Sequence, residues 1–234
     1  MLILFDWLLE FRFSTIDILS QRIGSKPTNS YRLFKQLIND RYIQKFSNIH
    51  TYQNFFMLKN SGIDYLKCES RDISCAVTNP NKLSKYSTIM HDLLVQKAIL
   101  NRIHLFDEVI WDKNIERVQG FDRPDALLRT KVGDNVWLAL EYERWDKSKP
   151  RVYKSFINHL KSIANNRYSG VLFIMNNDSD LDKYKKYFNE KYWPVYEKYH
   201  YSKYRIIDNK ILNPSSLVSN YQHKFMFILD DHID

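Results

Sequence analysis

Apolar positions recur at helical spacing through the first part of the chain and then switch to alternation. Residues 2–12, LILFDWLLEFR, carry the three-to-four repeat of a helix. STIDILSQRIG follows, with Ser14 or Thr15 placed to cap a second helix and Gly24 to stop it. KPTNSYRLFKQLINDRYI predicts a third, with Pro27 in its first turn and Thr28 or Asn29 as cap. RYIQKFSNIHTYQNFFMLKNSG alternates like two short strands around a polar tip, and NSGIDYLKC reads as a last short helix.

Helix, helix, helix, hairpin is the order of a winged helix-turn-helix, which we expect over residues 1–67. The third helix sorts into two faces: Leu33, Leu37 and Ile38, with Tyr31 or Phe34, against Arg32, Lys35, Gln36 and Asn39. The polar stripe is of the type that donates to phosphates and base edges, and equally of the type that any solvated helix presents. With Thr28 and Asn29 in the first turn, it is the expected DNA-reading face. Lys45, Asn48, His50 and Gln53 would form the wing. Residues 68–85, CESRDISCAVTNPNKLSK, are polar and contain Asn79-Pro80, so they are expected to be a linker.

From residue 86 helices and strands alternate, predicting an α/β domain with a mixed sheet to residue 234. YSTIMHDLLVQKAILNRIH is a helix and DEVIWDKNI a strand. RPDALLRT and NVWLALEYE are two more strands, and RVYKSFINHLKSIANN is a helix behind Pro150. SGVLFIMNN is apolar throughout, as in a strand buried on both faces. LDKYKKYFNEKYWPVYEKYH is expected to be a helix kinked at Pro194, and KYRIID and KFMFILD close as strands. The fold class is therefore α+β.

Composition narrows the function. The net charge is +8, with a pI near 9.2, and aromatics make up 15%. That balance suits nucleic acid, where charge meets phosphate and rings stack on bases. Residues 1–85 hold 12 basic against seven acidic side chains, the remainder 23 against 20. No run of apolar residues is long enough to span a membrane. The N-terminus carries Asp6 and Glu10, and it reads as an amphipathic helix rather than a signal peptide. Two cysteines without neighbouring histidine pairs suggest neither zinc nor a disulfide framework, so a reduced, cytoplasmic protein is expected. Glycine-rich phosphate loops are absent.

The candidate chemistry lies in RPDALLRTKVGDNVWLALEYERWDKSKPRVYKSF. Strand alternation puts Trp137, Ala139, Glu141 and Glu143 on one face, the two carboxylates roughly 6.5–7 Å apart along the strand. Pairing of the two runs would bring Asp125 beside them. Three converging carboxylates repel one another, and a hard divalent cation, Mg²⁺ or Mn²⁺, relieves the repulsion and can activate a nucleophile on phosphorus. The alternative from spacing alone is a solvent-exposed strand end whose acids pair with Arg144, Lys147 or Arg151.

Pro124-Asp125 followed by an acidic pair on the next strand resembles the PD-(D/E)xK nuclease signature, with Glu143 where the motif lysine usually stands. The PD…ExE form, with Lys147-Ser148 and Arg151-Val152-Tyr153 downstream, resembles the MobC-type conjugative relaxases of the replication-relaxation group. They join a winged helix to a restriction-endonuclease-like domain. The resemblance implies a Mg²⁺- or Mn²⁺-dependent relaxase that nicks one strand at a plasmid transfer origin. Asp125, Glu141 and Glu143 would hold the metal, Lys147 would stabilise phosphate charge and Tyr153 would be a candidate nucleophile. His91 is a possible addition to the site, and Asp92 and Glu108 are further acids. The implied partners are plasmid-origin DNA, single or double stranded, and a mobilisation accessory or coupling protein. Two other readings stay open: a non-catalytic DNA-binding accessory protein of mobilisation or replication, and a double-strand restriction or repair nuclease.

Overall fold

The computed structural model describes residues 1–47, 53–83, 86–132, 136–200 and 203–230. It divides into two compact units, residues 1–103 and 104–234, in an α+β arrangement that includes a mixed sheet. Among the described residues no helix is long and apolar enough to cross a membrane.

In the first unit, α1 (Leu2–Phe11) buries Leu4, Phe5, Trp7, Leu8, Leu9 and Phe11. α2 (Ile16–Arg22) starts at Thr15, whose hydroxyl accepts from Ile18 N, and gives way to Gly24 at φ +68°. α3 (Pro27–Asn39) has Pro27 in its first turn, where a missing N–H is harmless. Its cap position is Lys26, so Thr28 and Asn29 are exposed first-turn residues rather than caps. The buried side of α3 is Ser30, Phe34 and Leu37. Tyr31 and Leu33, expected inside, stand on the exposed side instead. β1 (Ile43–Ser47) and β2 (Asn54–Leu58) pair antiparallel, with Ile43 opposite Leu58, and Ser14 adds one bridge to Phe56. α4 (Asn60–Cys68) follows, its Gly62 lying so near the Tyr42 carbonyl that no side chain fits there.

Two features of this unit differ from the sequence reading. Segment 68–83 is not a free tether. Arg71 pairs with Asp6 at 3.0 Å, the Cys75 thiol donates to the Leu9 carbonyl, and Gln44 donates to the Thr78 carbonyl. Its polar groups find partners on the unit it follows. α5 (Tyr86–Asn101) also belongs here. Buried Gln96 accepts from Trp7 Nε1 (3.1 Å) and Ser14 Oγ (2.7 Å) and donates to the Phe13 carbonyl. A single buried amide thus satisfies three groups that would be costly to leave unpaired.

The second unit is built on one sheet. β3 (Phe106–Trp111), β4 (Ala126–Thr130) and β5 (Trp137–Glu143) run antiparallel, and β6 (Gly170–Met175) lies parallel to β5. α6 (Lys149–Ala164) makes the crossover between β5 and β6. α7 (Asp178–Phe188) follows β6, capped by Asn177. β7 (Trp193–His200) and β8 (Lys203–Leu212) form a separate antiparallel pair. β9 (Phe225–Leu229) returns parallel to β6, giving the order β3-β4-β5-β6-β9. Every residue of β6 is buried. Val152, Tyr153, Phe156 and Leu160 of α6 pack on Ala139, Val171, Phe173 and Phe225.

The kinked helix expected around Pro194 does not form. α7 stops at Phe188, and residues 193–200 are strand. In a two-stranded pair both strands are edges, so a residue without an N–H is tolerated, and the register shifts just after Pro194.

Candidate functional site

β4 and β5 pair with Ala126 opposite Leu140, which sets Asp125, one step earlier, against Glu141. The backbone holds this corner from both sides: Asp125 N donates to the Leu140 carbonyl, and Asp112 N to the Asp125 carbonyl. The Asp125 carboxylate accepts from Tyr142 N at 2.8 Å. Alternation along β5 turns Glu141 and Glu143 to the side on which Trp137 and Ala139 meet α6.

Each glutamate has its own side-chain partner. Glu143, 1% exposed, lies 2.7 Å from Lys147 Nζ. Glu141 Oε1 lies 3.2 Å from His159 Nε2, and the other nitrogen of that ring is 2.7 Å from the Tyr168 hydroxyl. Three acids therefore share one lysine. Burial pushes the Glu143 carboxyl above its ordinary value; Lys147 offsets part of that, while Glu141 and Asp125 add to it. For Lys147, burial works against the ammonium, but Glu143, Glu141 and Asp125 outweigh it and hold its pKa above the ordinary one. On α7, buried Tyr184 keeps its phenol proton strongly, through burial first and the charge of Glu143 second.

Beside these groups opens a cleft of about 500 Å³, lined by the cations Arg123, Lys147, Arg151 and Lys154, the acids Asp112, Asp122 and Glu141, and His159 among others. Arg151, Lys154, Ser155 and Asn158 line it from α6 at i, i+3, i+4 and i+7. Opposite them on the helix are the core residues Val152, Phe156 and Leu160. Arg123 is held at the rim by Asp112, 3.0 Å away.

Of the residues expected at the site, Asp125, Glu141, Glu143 and Lys147 are brought together. Tyr153 is not among them. Its ring is fully buried among Phe156, Tyr187, Trp193 and Tyr196, and burial raises its hydroxyl pKa far beyond the usual phenol value. A nucleophile needs access and an available oxyanion; Tyr153 is a core residue. His91 and Asp92 sit on α5, in the first unit. Glu108 on β3 pairs with Arg129 at 3.2 Å. The sequence reading missed His159, Arg123, Lys154 and Asn158. The face-by-face reading given to α3, applied to α6, would have found Lys154 and Asn158.

Among the described residues no three His, Cys, Asp or Glu side chains stand together as metal ligands. Glu143, with a lysine at 2.7 Å, does not fit that role as it stands. Asp125 and Glu141, two oxygen donors facing each other across a strand pair, have the donor chemistry of a Mg²⁺ or Mn²⁺ site.

In the first unit Thr28, Asn29, Arg32, Lys35, Gln36 and Asn39 are all exposed along α3, and Lys45 is exposed on β1. His50 and Asn48 lie outside the described residues.

Compared with known proteins, the chain matches no family model, no curated protein and no solved structure.

Proposed function

We propose that this protein is a Mg²⁺- or Mn²⁺-dependent DNA nickase of the PD-(D/E)xK kind, acting in the cytoplasm as a relaxase at a plasmid transfer origin during conjugative mobilisation. In this reading residues 1–103 act as a winged-helix DNA reader through α3, and residues 104–234 are the nuclease core. A coupling or accessory protein would receive the nicked strand. The observation that carries the reading is the convergence of Asp125, Glu141, Glu143 and Lys147 beside a cleft that Glu141 and Lys147 line together with Arg123, Arg151 and Lys154.

Asp125 and Glu141 would hold the cation, which when bound supplies charge neutralisation and an activated water. Arg151 and Lys154 would position the backbone phosphate. Lys147, kept protonated by its acids, would offset charge developing on the phosphoryl oxygens. With Tyr153 in the core, water would be the attacking group: it gives up a proton as its oxygen forms a P–O bond, one phosphodiester P–O bond breaks, and the leaving oxygen takes a proton. Glu143 would serve by anchoring Lys147 rather than as a metal ligand.

Supercoiled plasmid incubated with Mn²⁺ tests this. Relaxed circles, lost in Asp125→Ala and Glu141→Ala while DNA affinity stays within about twofold, are the expected result. A linear product would point to a double-strand nuclease instead.

One observation favours a second reading. Glu143 and Glu141 are each already paired, with Lys147 and His159, as in a scaffold domain that no longer cuts. A non-catalytic DNA-binding accessory protein would bind the origin and leave the plasmid supercoiled with either cation.

A further inference from the structure

The ribbon formed by β7 and β8 stands apart from the five-stranded sheet. A two-stranded ribbon is marginal by itself, and this one is rooted at one end. Trp193 is fully buried against Phe156, Phe188 and Tyr221, and Tyr196 stacks on Tyr153 with ring centroids 6.3 Å apart. Lys198, Tyr199, His200, Arg205 and Ile206 are exposed, Tyr199 by 56%. The Arg205 guanidinium lies 6.0 Å from the Tyr199 ring centroid and pairs at the surface with Glu197, a partner that a phosphate would have to share or displace. Tyr204, paired in register with Lys198, lines the same cleft as Arg151 and Lys154.

We infer that this ribbon clamps a single nucleic-acid strand where it leaves the cleft past Tyr204, stacking an unpaired base on Tyr199 and meeting the adjoining phosphate with Arg205. The inference rests on the nuclease reading for the strand in the cleft. Its own support is the combination of ring and cation. An exposed aromatic face beside a guanidinium stacks any base and neutralises the adjoining phosphate. Between Trp193 and Leu212 there are four Lys and Arg against two acids, a surplus that suits a polyanion. Paired bases in a duplex hide their faces, so the clamp discriminates in favour of the unpaired strand.

The test is fluorescence anisotropy on the full chain in EDTA, with a labelled oligothymidylate of about 20 nucleotides and a duplex of similar length. Tyr199→Ala is expected to weaken single-strand binding on the order of tenfold, with Tyr199→Phe close to wild type and duplex affinity unchanged. Arg205→Ala should weaken the single strand and flatten its salt dependence. Equal losses on both probes, or none on the single strand, overturn the clamp and leave the nuclease reading standing. A wild-type chain that binds neither probe removes both. A concentration-dependent dimer that Tyr199→Ala abolishes would identify the ribbon as a self-pairing surface, and also overturns the clamp.

Discussion

On α3 of the first unit, Arg32, Lys35, Gln36 and Asn39 stand in water above Phe34 and Leu37. In the second unit Glu143 is 1% exposed, with Glu141 and Asp125 close enough to shift its titration. The first arrangement is energetically cheap. Solvated side chains keep their hydration, and their pairs are worth little. The second is costly to assemble, because taking a carboxylate and its ammonium partner out of water costs several kcal/mol per ion, which their pairing offsets only in part. A chain can carry solvated charge for no reason, but three acids around one lysine persist only if something offsets the cost. Perturbed acids beside a cleft are where catalytic sites are found, so the buried set is the stronger pointer to chemistry and the exposed stripe the stronger pointer to a partner.

The contrast is sharpest in stability. Phe156 is fully buried, with ring contacts to Phe173, Tyr184, Phe188 and Trp193. Phe156→Ala should cost about 4 kcal/mol, read as a lower urea midpoint. Arg32→Ala should stay within about 0.5 kcal/mol. If Phe156→Ala lost under 1 kcal/mol, α6 would not be the keystone of the second unit, and the burial of its acids would need another cause.

Binding reverses the ranking. Arg32→Glu with Lys35→Glu should remove most duplex affinity and reduce the slope of log affinity against log salt by about 2. The urea midpoint should hardly move. Unchanged affinity would show the α3 stripe to be an ordinary solvated face and would confine the proposed DNA contacts to the second unit.

How much of this could be read in advance follows from the range of the interactions. Period-two alternation put Glu141 and Glu143 on one side of β5, and the apolar spacing located α1, α2 and α3, because both patterns are local. Their partners are not. Lys147 is near in sequence, but only the turn into α6 carries it back to Glu143. His159 reaches Glu141 only once the β5-α6-β6 crossover is closed. Gln96 looked like one more polar residue on a helix, yet it joins α5 to Trp7, Ser14 and Phe13 and so decides which unit that helix belongs to. Tyr153 was drawn toward the site by its place in a motif. Its spacing from Val152, Phe156 and Leu160 already marked the apolar face of α6. Pro194 broke the helical pattern where the chain turns into a ribbon, and that outcome depends on a strand pairing no local rule supplies.

The Glu141–His159–Tyr168 chain gives a more graded test. His159 borders the cleft but is 5% exposed, and its two nitrogens are engaged by Glu141 and Tyr168, so in the nickase reading it would act by orienting the carboxylate. His159→Gln should lower the nicking rate about tenfold and weaken Mn²⁺ dependence at unchanged DNA affinity. Tyr168→Phe should do the same more weakly. A loss in DNA affinity with an unchanged rate would make His159 a contact to the strand instead.

The smallest effect bears most directly on why Glu143 is buried. The Glu143 carboxyl titrates above its ordinary 4.5 because burial disfavours the charge more than Lys147 restores it. The native chain therefore holds this proton more tightly than the unfolded chain does. The stability it confers is present below pH 4.5 and is lost as pH rises through the raised native value. Glu143→Gln has no proton to lose, so its urea midpoint should fall less than that of wild type between about pH 4.5 and pH 7. The gap between the two should then close or reverse as pH increases. Lys147 remains beside Glu141 and Asp125 in that variant and so keeps partners of opposite charge. If the Gln variant instead fell more steeply, the Glu143–Lys147 ion pair would be a net stabiliser at neutral pH. Its presence would then need no functional explanation, and the contrast with the solvated stripe on α3 would be one of placement alone.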